Sequence, residues 1–250
     1  MKEYTISVDF GGTNILTAAV DKKLNVLNRV KIETKQTRGA EKIVKDIADT
    51  IEEIIKITGI KESEVRAICM GVPGTVNPEG IIASAPNLGI RNFNIKEELQ
   101  KYIKIPVFIE NDVNLAALGI KKFEFKDKVN NMLVVFIGTG IGSGIIIDGK
   151  LYRGSSFYAG EIGHILVDFK GNFSGVKTKS TFENIASRTA IVNAITSDIK
   201  DGKKSVLSSI VKHNKKIKSK SLLQAIKKKD KIALKHVDKA ATIIGTVLGS

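Results

Sequence analysis

A glycine-dense turn set between two apolar strands constrains this chain more than any other feature, and it occurs twice. The longer copy runs from Phe136 to His164, FIGTGIGSGIIIDGKLYRGSSFYAGEIGH. The shorter is Asp9-Phe10-Gly11-Gly12-Thr13, between Tyr4–Asp9 and Ile15–Val20. A strand–glycine–strand turn with a threonine at its tip can hold phosphate through backbone N–H groups and a hydroxyl. One such turn alone is more often just a tight hairpin. Two of them, one in each half, favour a nucleotide held between two lobes. Gly138-x-Gly140-x-x-x-Gly144 superficially matches a dinucleotide fingerprint, but that motif needs a helix directly after the glycines. Here Ile145-Ile146-Ile147 and a hairpin turn follow, and no Gly-Lys-[Ser/Thr] of a P-loop is present.

The turns sit in a repeated pattern. After Ile15–Val20 the spacing predicts a third strand, Asn25–Glu33, then a helix whose Ile43, Val44, Ile47, Ile51, Ile54 and Ile55 recur at helical intervals until Gly59. Val65–Gly71 reads as a strand broken by Val72-Pro73-Gly74, and Pro78-Glu79-Gly80 as a hairpin tip. A short helix Ile95–Ile103, a strand Val107–Glu110 and a helix Val113–Lys122 follow. Met132–Ile137 opens a second half, again strand, glycine turn, strand, with Asp148-Gly149 as a two-residue hairpin signal. Helices dominate beyond Glu183, ending in Ala240–Leu248. The expected fold is α/β, two lobes around a central cleft, divided into residues 1–122 and 123–250.

Composition narrows the partners. A chain of 250 residues with 42% hydrophobic and 26% charged residues can bury a real core. One cysteine, Cys69, excludes an internal disulfide framework and any cysteine-based zinc site. The N-terminus has no apolar signal region, and no run of about 18 apolar residues occurs. The expected location is therefore cytoplasmic, with no membrane partner. The net charge of +14 is concentrated: Lys200–Ala240 carries fourteen lysines against three aspartates, a local balance of +11. That region has neither arginine nor aromatic residues, so it lacks base-edge readers and stacking platforms. Solvated helix faces are expected there, and no nucleic-acid partner.

Two polar clusters carry candidate chemistry. Glu110-Asn111-Asp112 lies between a strand end and a helix start. Asn and Asp are good helix caps, but three polar residues after IPVFI exceed what a cap requires. A carboxylate there can accept a proton from a substrate hydroxyl. Glu161-x-x-His164, flanked by Gly160 and Gly163, fits either a partial metal site or a pair gripping a ligand. Together these residues point to phosphoryl transfer to a hydroxyl compound.

DFGGT (Asp9–Thr13), GVPG (Gly71–Gly74), APNLG (Ala85–Gly89), ENDVNLAALG (Glu110–Gly119), FIGTGIGSGIIIDGKLYRG (Phe136–Gly154) and AGEIGH (Ala159–His164) occur in that order. In this the chain resembles the ROK family of sugar kinases and sugar-responsive repressors, over nearly its whole length. The resemblance implies the actin-like, hexokinase-type fold and ATP-dependent phosphorylation of a hexose or N-acetylhexosamine at the 6-hydroxyl, of glucokinase or N-acetylmannosamine kinase type. It implies Asp112 as general base, and Asn111, Glu161, His164 and Glu183 on the sugar, with Gly74 and Asn87 contributing. Gly11, Gly12 and Thr13 in one half, and Thr139, Gly140 and Gly142 in the other, would face the ATP phosphates. Asp9 would lie near Mg²⁺, and a homodimer is the family's usual state. Family members usually follow the histidine with a three-cysteine zinc loop; here Ser174, Val176 and Thr181 stand at those positions, so no zinc site is expected. Members also usually continue into a further strand and a glycine turn that contacts adenosine, a segment not found before Ser250. The alternatives that the resemblance leaves are a non-catalytic sugar sensor and a transcriptional regulator. Regulators of the family carry a helix-turn-helix domain ahead of the DFGGT motif, which here begins at residue 9.

Overall fold

The computed structural model describes residues 3–167 and 181–249. Their contacts group the chain into two compact units, Met1–Leu133 with Gly144–Ala159, and Val134–Ser143 with Gly160–Ser250.

The first unit is built on a five-stranded sheet. Strands β1 (Tyr4–Phe10), β2 (Asn14–Val20) and β3 (Val26–Glu33) form an antiparallel meander. Helix α1 (Ala40–Thr58) then carries the chain to β4 (Val65–Val72), which pairs parallel with β1. The α1 stripe read from the sequence is the buried one: Ile43, Val44, Ile47, Ile51 and Ile54 are each at most 1% exposed. Each such side chain contributes about 1.5–3 kcal/mol by leaving water. Thr50 on the same face would bury a lone hydroxyl, but it bonds Thr17 Oγ1 of β2 at 2.7 Å. Gly59 ends the helix in the left-handed region, φ 71°, as the sequence predicts.

Strands β5 (Thr75–Val76), β6 (Ile81–Ala85) and β7 (Ile90–Asn94) form a separate three-stranded antiparallel sheet. Of these only the hairpin at Pro78–Gly80 was expected. Helix α2 (Ile95–Gln100) is shorter than predicted because Lys101 and Tyr102 continue as a turn. It leads to β8 (Val107–Asn111), parallel to β4, and α3 (Asp112–Phe123). The sheet order is β3-β2-β1-β4-β8. Register pairs Asp9 with Gly71 and Gly71 with Glu110, so the three parallel strands end in line.

Strands β9 (Met132–Ile137), β10 (Ile141–Ile147) and β11 (Lys150–Tyr152) make a second meander. Asp148 and Gly149 both take positive φ at its hairpin, the geometry of a type I′ turn. In the second unit, α4 (Phe182–Ala186), α5 (Arg188–Lys200), α6 (Ser208–Lys212), α7 (Ser219–Lys227) and α8 (Lys231–Gly249) pack on two apolar clusters. One cluster joins α5, α6, α7 and α8 through Ile195, Val211, Leu222 and Ala233; the other joins Ile141 of β10 to Phe182 and Ala240. Asp198 of α5 accepts from Lys203 Nζ at 2.7 Å and lies 3.0 Å from His236 Nε2 of α8. These partners hold its carboxyl far below the ordinary range. Among the described residues no helix is long and apolar enough to cross a membrane.

Candidate functional site

Three segments leave the first unit's sheet at the carboxyl ends of its parallel strands: the turn after β1, Pro73-Gly74 after β4, and the Asn111-Asp112 junction where β8 passes into α3. Open α/β sheets bind ligands at this end. In the first turn the carbonyl oxygens all face the chain after β3. Gly11 O accepts from Thr34 Oγ1 at 2.7 Å, Gly12 O from Gln36 Nε2, and Thr13 O from the Thr34 N–H at 2.9 Å. A trans peptide holds its N–H opposite its carbonyl, so the N–H groups of Gly12 and Thr13 point away from residues 34–36. Gly11 must lack a side chain, since a Cβ there would meet Asn14 O at 2.9 Å. Asp9, at the end of β1, has its carboxyl raised above the ordinary pKa because surrounding atoms withhold water from it.

Asn111 serves the fold as well as any ligand. Its Oδ1 caps α3 by accepting from the Asn114 N–H at 3.0 Å, and its Nδ2 donates to Gly74 O at 3.0 Å. Asp112 opens the helix, with Oδ1 accepting from the Val113 N–H at 2.8 Å. Gly74, at φ 92°, has no room for a Cβ, which would fall 2.1 Å from Ser84 O. Asn87 lies on the 3-10 turn Pro86–Leu88; its side chain is outside what is described.

In the second unit the glycine turn and the Glu-x-x-His segment fold against each other. Gly160 O accepts from the Ser143 N–H at 3.0 Å and Oγ at 2.8 Å. A Cβ on Gly163 would lie 2.1 Å from Ile141 O. Glu183, at the start of α4, reaches the turn itself: its Oε2 accepts from the Ile141 N–H at 2.9 Å and occupies the place of a Gly140 Cβ. The Ile141 N–H is therefore used, whereas Gly138 O accepts from the Arg188 N–H, which directs the Thr139 N–H away from α5. Gly142 lies within β10. Glu161 and His164 approach to 3.6 Å across one 3-10 turn. Burial pushes the Glu161 carboxyl up, His164 pulls it back, and the nearby charge of Glu183 adds to the rise. Glu161, His164 and Glu183 thus gather around one turn.

A groove of about 480 Å³ beside Thr139, in the second unit, has no counterpart in the sequence pattern. Arg188, Lys200, Lys215 and Lys216 line it together with Val192, Val211 and Ile217, and among the described residues no acidic one does. Part of the lysine-rich region is therefore a groove wall as well as a helix face. The apolar strip with cations at its edge suits an anion that also carries a flat organic group.

Among the described residues no group of three or more His, Cys, Asp and Glu is arranged to hold a metal. Of the three positions at which the family's zinc cysteines would stand, Ser174 and Val176 lie outside the described residues. Thr181 is described: it caps α4 and bridges to Leu166.

These features define an α/β protein of the hexokinase–actin class, with two units and a glycine turn in each. The ROK family profile matches residues 5–250, and the chain belongs to the ROK family. A glucokinase of Halalkalibacterium halodurans is 32% identical over 247 residues, 98% of this chain and 75% of that protein. A xylose repressor of Caldicellulosiruptor bescii is 35% identical over 65% of this chain, but the match spans only 41% of the repressor. Among solved structures, a ROK family glucokinase from Streptomyces griseus in complex with glucose and AMPPNP superposes with a TM-score of 0.80 at 29% identity. That match covers 98% of this chain and 78% of the glucokinase.

Proposed function

We propose that this protein is an ATP-dependent hexose kinase that phosphorylates the sugar 6-hydroxyl. The observation that carries the reading is the common strand end in the first unit, where Asp112 and the phosphate-type turn Gly11–Thr13 leave the same sheet at its carboxyl edge. Asp112 takes the proton of the attacking hydroxyl. Asn111, whose amide is already oriented by Asn114 and Gly74, donates to a neighbouring sugar oxygen. Glu161, His164 and Glu183 bind further hydroxyls, Glu183 through the oxygen not engaged by Ile141. The backbone near Gly74, with Asn87 and the turn that bears it, adds contacts to the ring. The N–H groups of Gly12, Thr13 and Thr139 hold phosphate oxygens, Gly140 of the turn and Gly142 at the start of β10 lie beside Thr139 on the phosphate side, and Asp9 is the candidate ligand for Mg²⁺. Magnesium ATP, when bound, supplies the phosphoryl group and the cation charge that offsets its transfer.

The glucokinases among its relatives support this reading, and so does the glucose and AMPPNP complex of the similar solved structure. The match to xylose repressors favours a second reading, a sugar sensor without turnover. ADP release in the presence of glucose, N-acetylmannosamine, N-acetylglucosamine and fructose, measured beside sugar binding, separates the two. Turnover with one of them is expected; binding without turnover by any would replace the kinase with the sensor.

A further inference from the structure

Arg153 has no part in the chemistry above, yet it makes a short polar contact to the segment that bears the proposed base. It follows β11, and its Nε donates to Glu110 Oε2 at 2.6 Å, across 43 residues of chain. Glu110 is only 12% exposed, and its other oxygen is also engaged. Oε1 accepts from the Asn111 N–H at 2.9 Å and from Asn114 Nδ2 at 3.0 Å. Asn114, itself buried, donates its own N–H to Asn111 Oδ1. One carboxylate thus holds the backbone N–H of Asn111 and the side chain of Asn114, the residue whose own backbone N–H meets the Asn111 cap, one residue before Asp112. The loop that presents Arg153 is closed by the Ala159 N–H on Arg153 O at 3.1 Å.

We propose that Arg153 is a positioning residue for the reaction: through Glu110 it sets the Asn111-Asp112 turn in its working geometry. The proposal rests on the kinase reading for its effect on rate, but its geometric part stands apart from it. A nearly buried carboxylate keeps its place because the guanidinium faces it; removing the partner leaves Oε2 without that donor, and the side chain turns toward water. Glu110 then releases the Asn111 N–H and Asn114 Nδ2, and the Asp112 carboxyl loses its fixed bearing. Misplacement of a reacting group by about 1 Å costs up to roughly 100-fold in rate. Substrate binding spread over other residues is far less affected, so the loss falls on kcat.

The test compares Arg153→Gln, Arg153→Lys, Glu110→Gln and the Glu110→Gln/Arg153→Gln pair in the full chain. Expected for Arg153→Gln is a fall in kcat between about 10-fold and 100-fold with the sugar KM changed by less than about 3-fold. Lysine restores charge without the planar fork, so Arg153→Lys recovers part of the loss. The double variant is no worse than the poorer single one, since both break one linkage. A kcat within 2-fold of the parent, losses that multiply, or losses that only follow the unfolded fraction would overturn the proposal. The ligand-free protein gives a readout that needs no turnover: the amide resonances of Asn111, Asp112 and Val113 shift in Arg153→Gln and move back in Arg153→Lys. Unmoved resonances refute the positioning role even if the parent phosphorylates sugar. Shifted resonances in a parent without activity keep the positioning role and refute the kinase.

Discussion

Gly163→Ala isolates the contact between the two ends of the Phe136–His164 stretch. Gly163 is buried in the 3-10 turn Ile162–His164, and its φ lies outside the left-handed region, so the cost of a methyl there is steric and not conformational. The new Cβ would stand 2.1 Å from Ile141 O, 3.1 Å from Ile141 C and 3.3 Å from Glu183 Cβ. Ordinary C···O contacts lie near 3.3 Å or beyond, so the turn and β10 must part by about 1 Å. Overpacking of this kind costs about 1–3 kcal/mol and occasionally more, and here the obstacle is backbone, which places the cost at about 3 kcal/mol or above. Gly140→Ala is the control. Its Cβ also meets an atom at 2.1 Å, but that atom is Glu183 Oε2, the end of a side chain that can rotate away. The cost is then the hydrogen bond from the Ile141 N–H to a charged acceptor, about 1.5–3 kcal/mol. Calorimetry suits the measurement, because two units can unfold in separate transitions. Each kcal/mol lowers a midpoint by roughly 4 °C in a unit of this size, so Gly163→Ala should lower its transition by about 12 °C or more, and Gly140→Ala by less. A Gly163→Ala midpoint within about 2 °C of the parent would refute the packing of Gly163 on Ile141, and with it the gathering of Glu161, His164 and Glu183 at one turn.

Glu161→Gln reads the electrostatics of that turn. The folded carboxyl has a raised pKa, so at equal pH the folded state holds the proton more tightly than the unfolded state. Ionised Glu161 therefore costs stability, the cost growing as pH rises from about 4.5 through the folded value and absent below it. The variant should melt higher than the parent at pH 8 and alike at pH 3.5; an unchanged difference across that range would refute the assignment. Lys215→Gln with Lys216→Gln should weaken nucleotide binding several-fold at low salt and little at high salt, because exposed cations act through a screened field. Titration of a nucleotide analogue at two salt concentrations checks this, and equal weakening at both would remove the groove from the nucleotide site.

Much of the frame was legible in the sequence because it is local. The α1 stripe and Gly59, the Asp148-Gly149 hairpin, and the strands around both glycine turns each follow from residue type and spacing over a few positions. Strands β5 and β7 escaped because Thr75–Val76 and Ile90–Asn94 are too short and mixed to show a period. The site was legible as residue types and not as contacts. Glu183 gives no sign in sequence that it reaches the Ile141 N–H, 42 residues away, nor Arg153 that it reaches Glu110. The lysines of residues 200–216 read as solvated helix faces, since only folding brings Lys200, Lys215 and Lys216 beside Thr139. Asn111 caps α3 as its residue type predicts, while its amide nitrogen meets Gly74 O, a contact that no local pattern announces.

Asp112→Asn asks whether Asp112 acts as a base on a sugar hydroxyl. Asparagine keeps the oxygen that accepts from the Val113 N–H, so the α3 start and the fold should survive. It cannot take a proton, and loss of a general base costs about 10²–10⁴ in rate. The measurement is kcat for the preferred sugar, with the sugar Kd taken on the same preparation. A fall in kcat of at least about 100-fold with Kd nearly unchanged is expected. Turnover within about 2-fold of the parent at equal sugar affinity would contradict it.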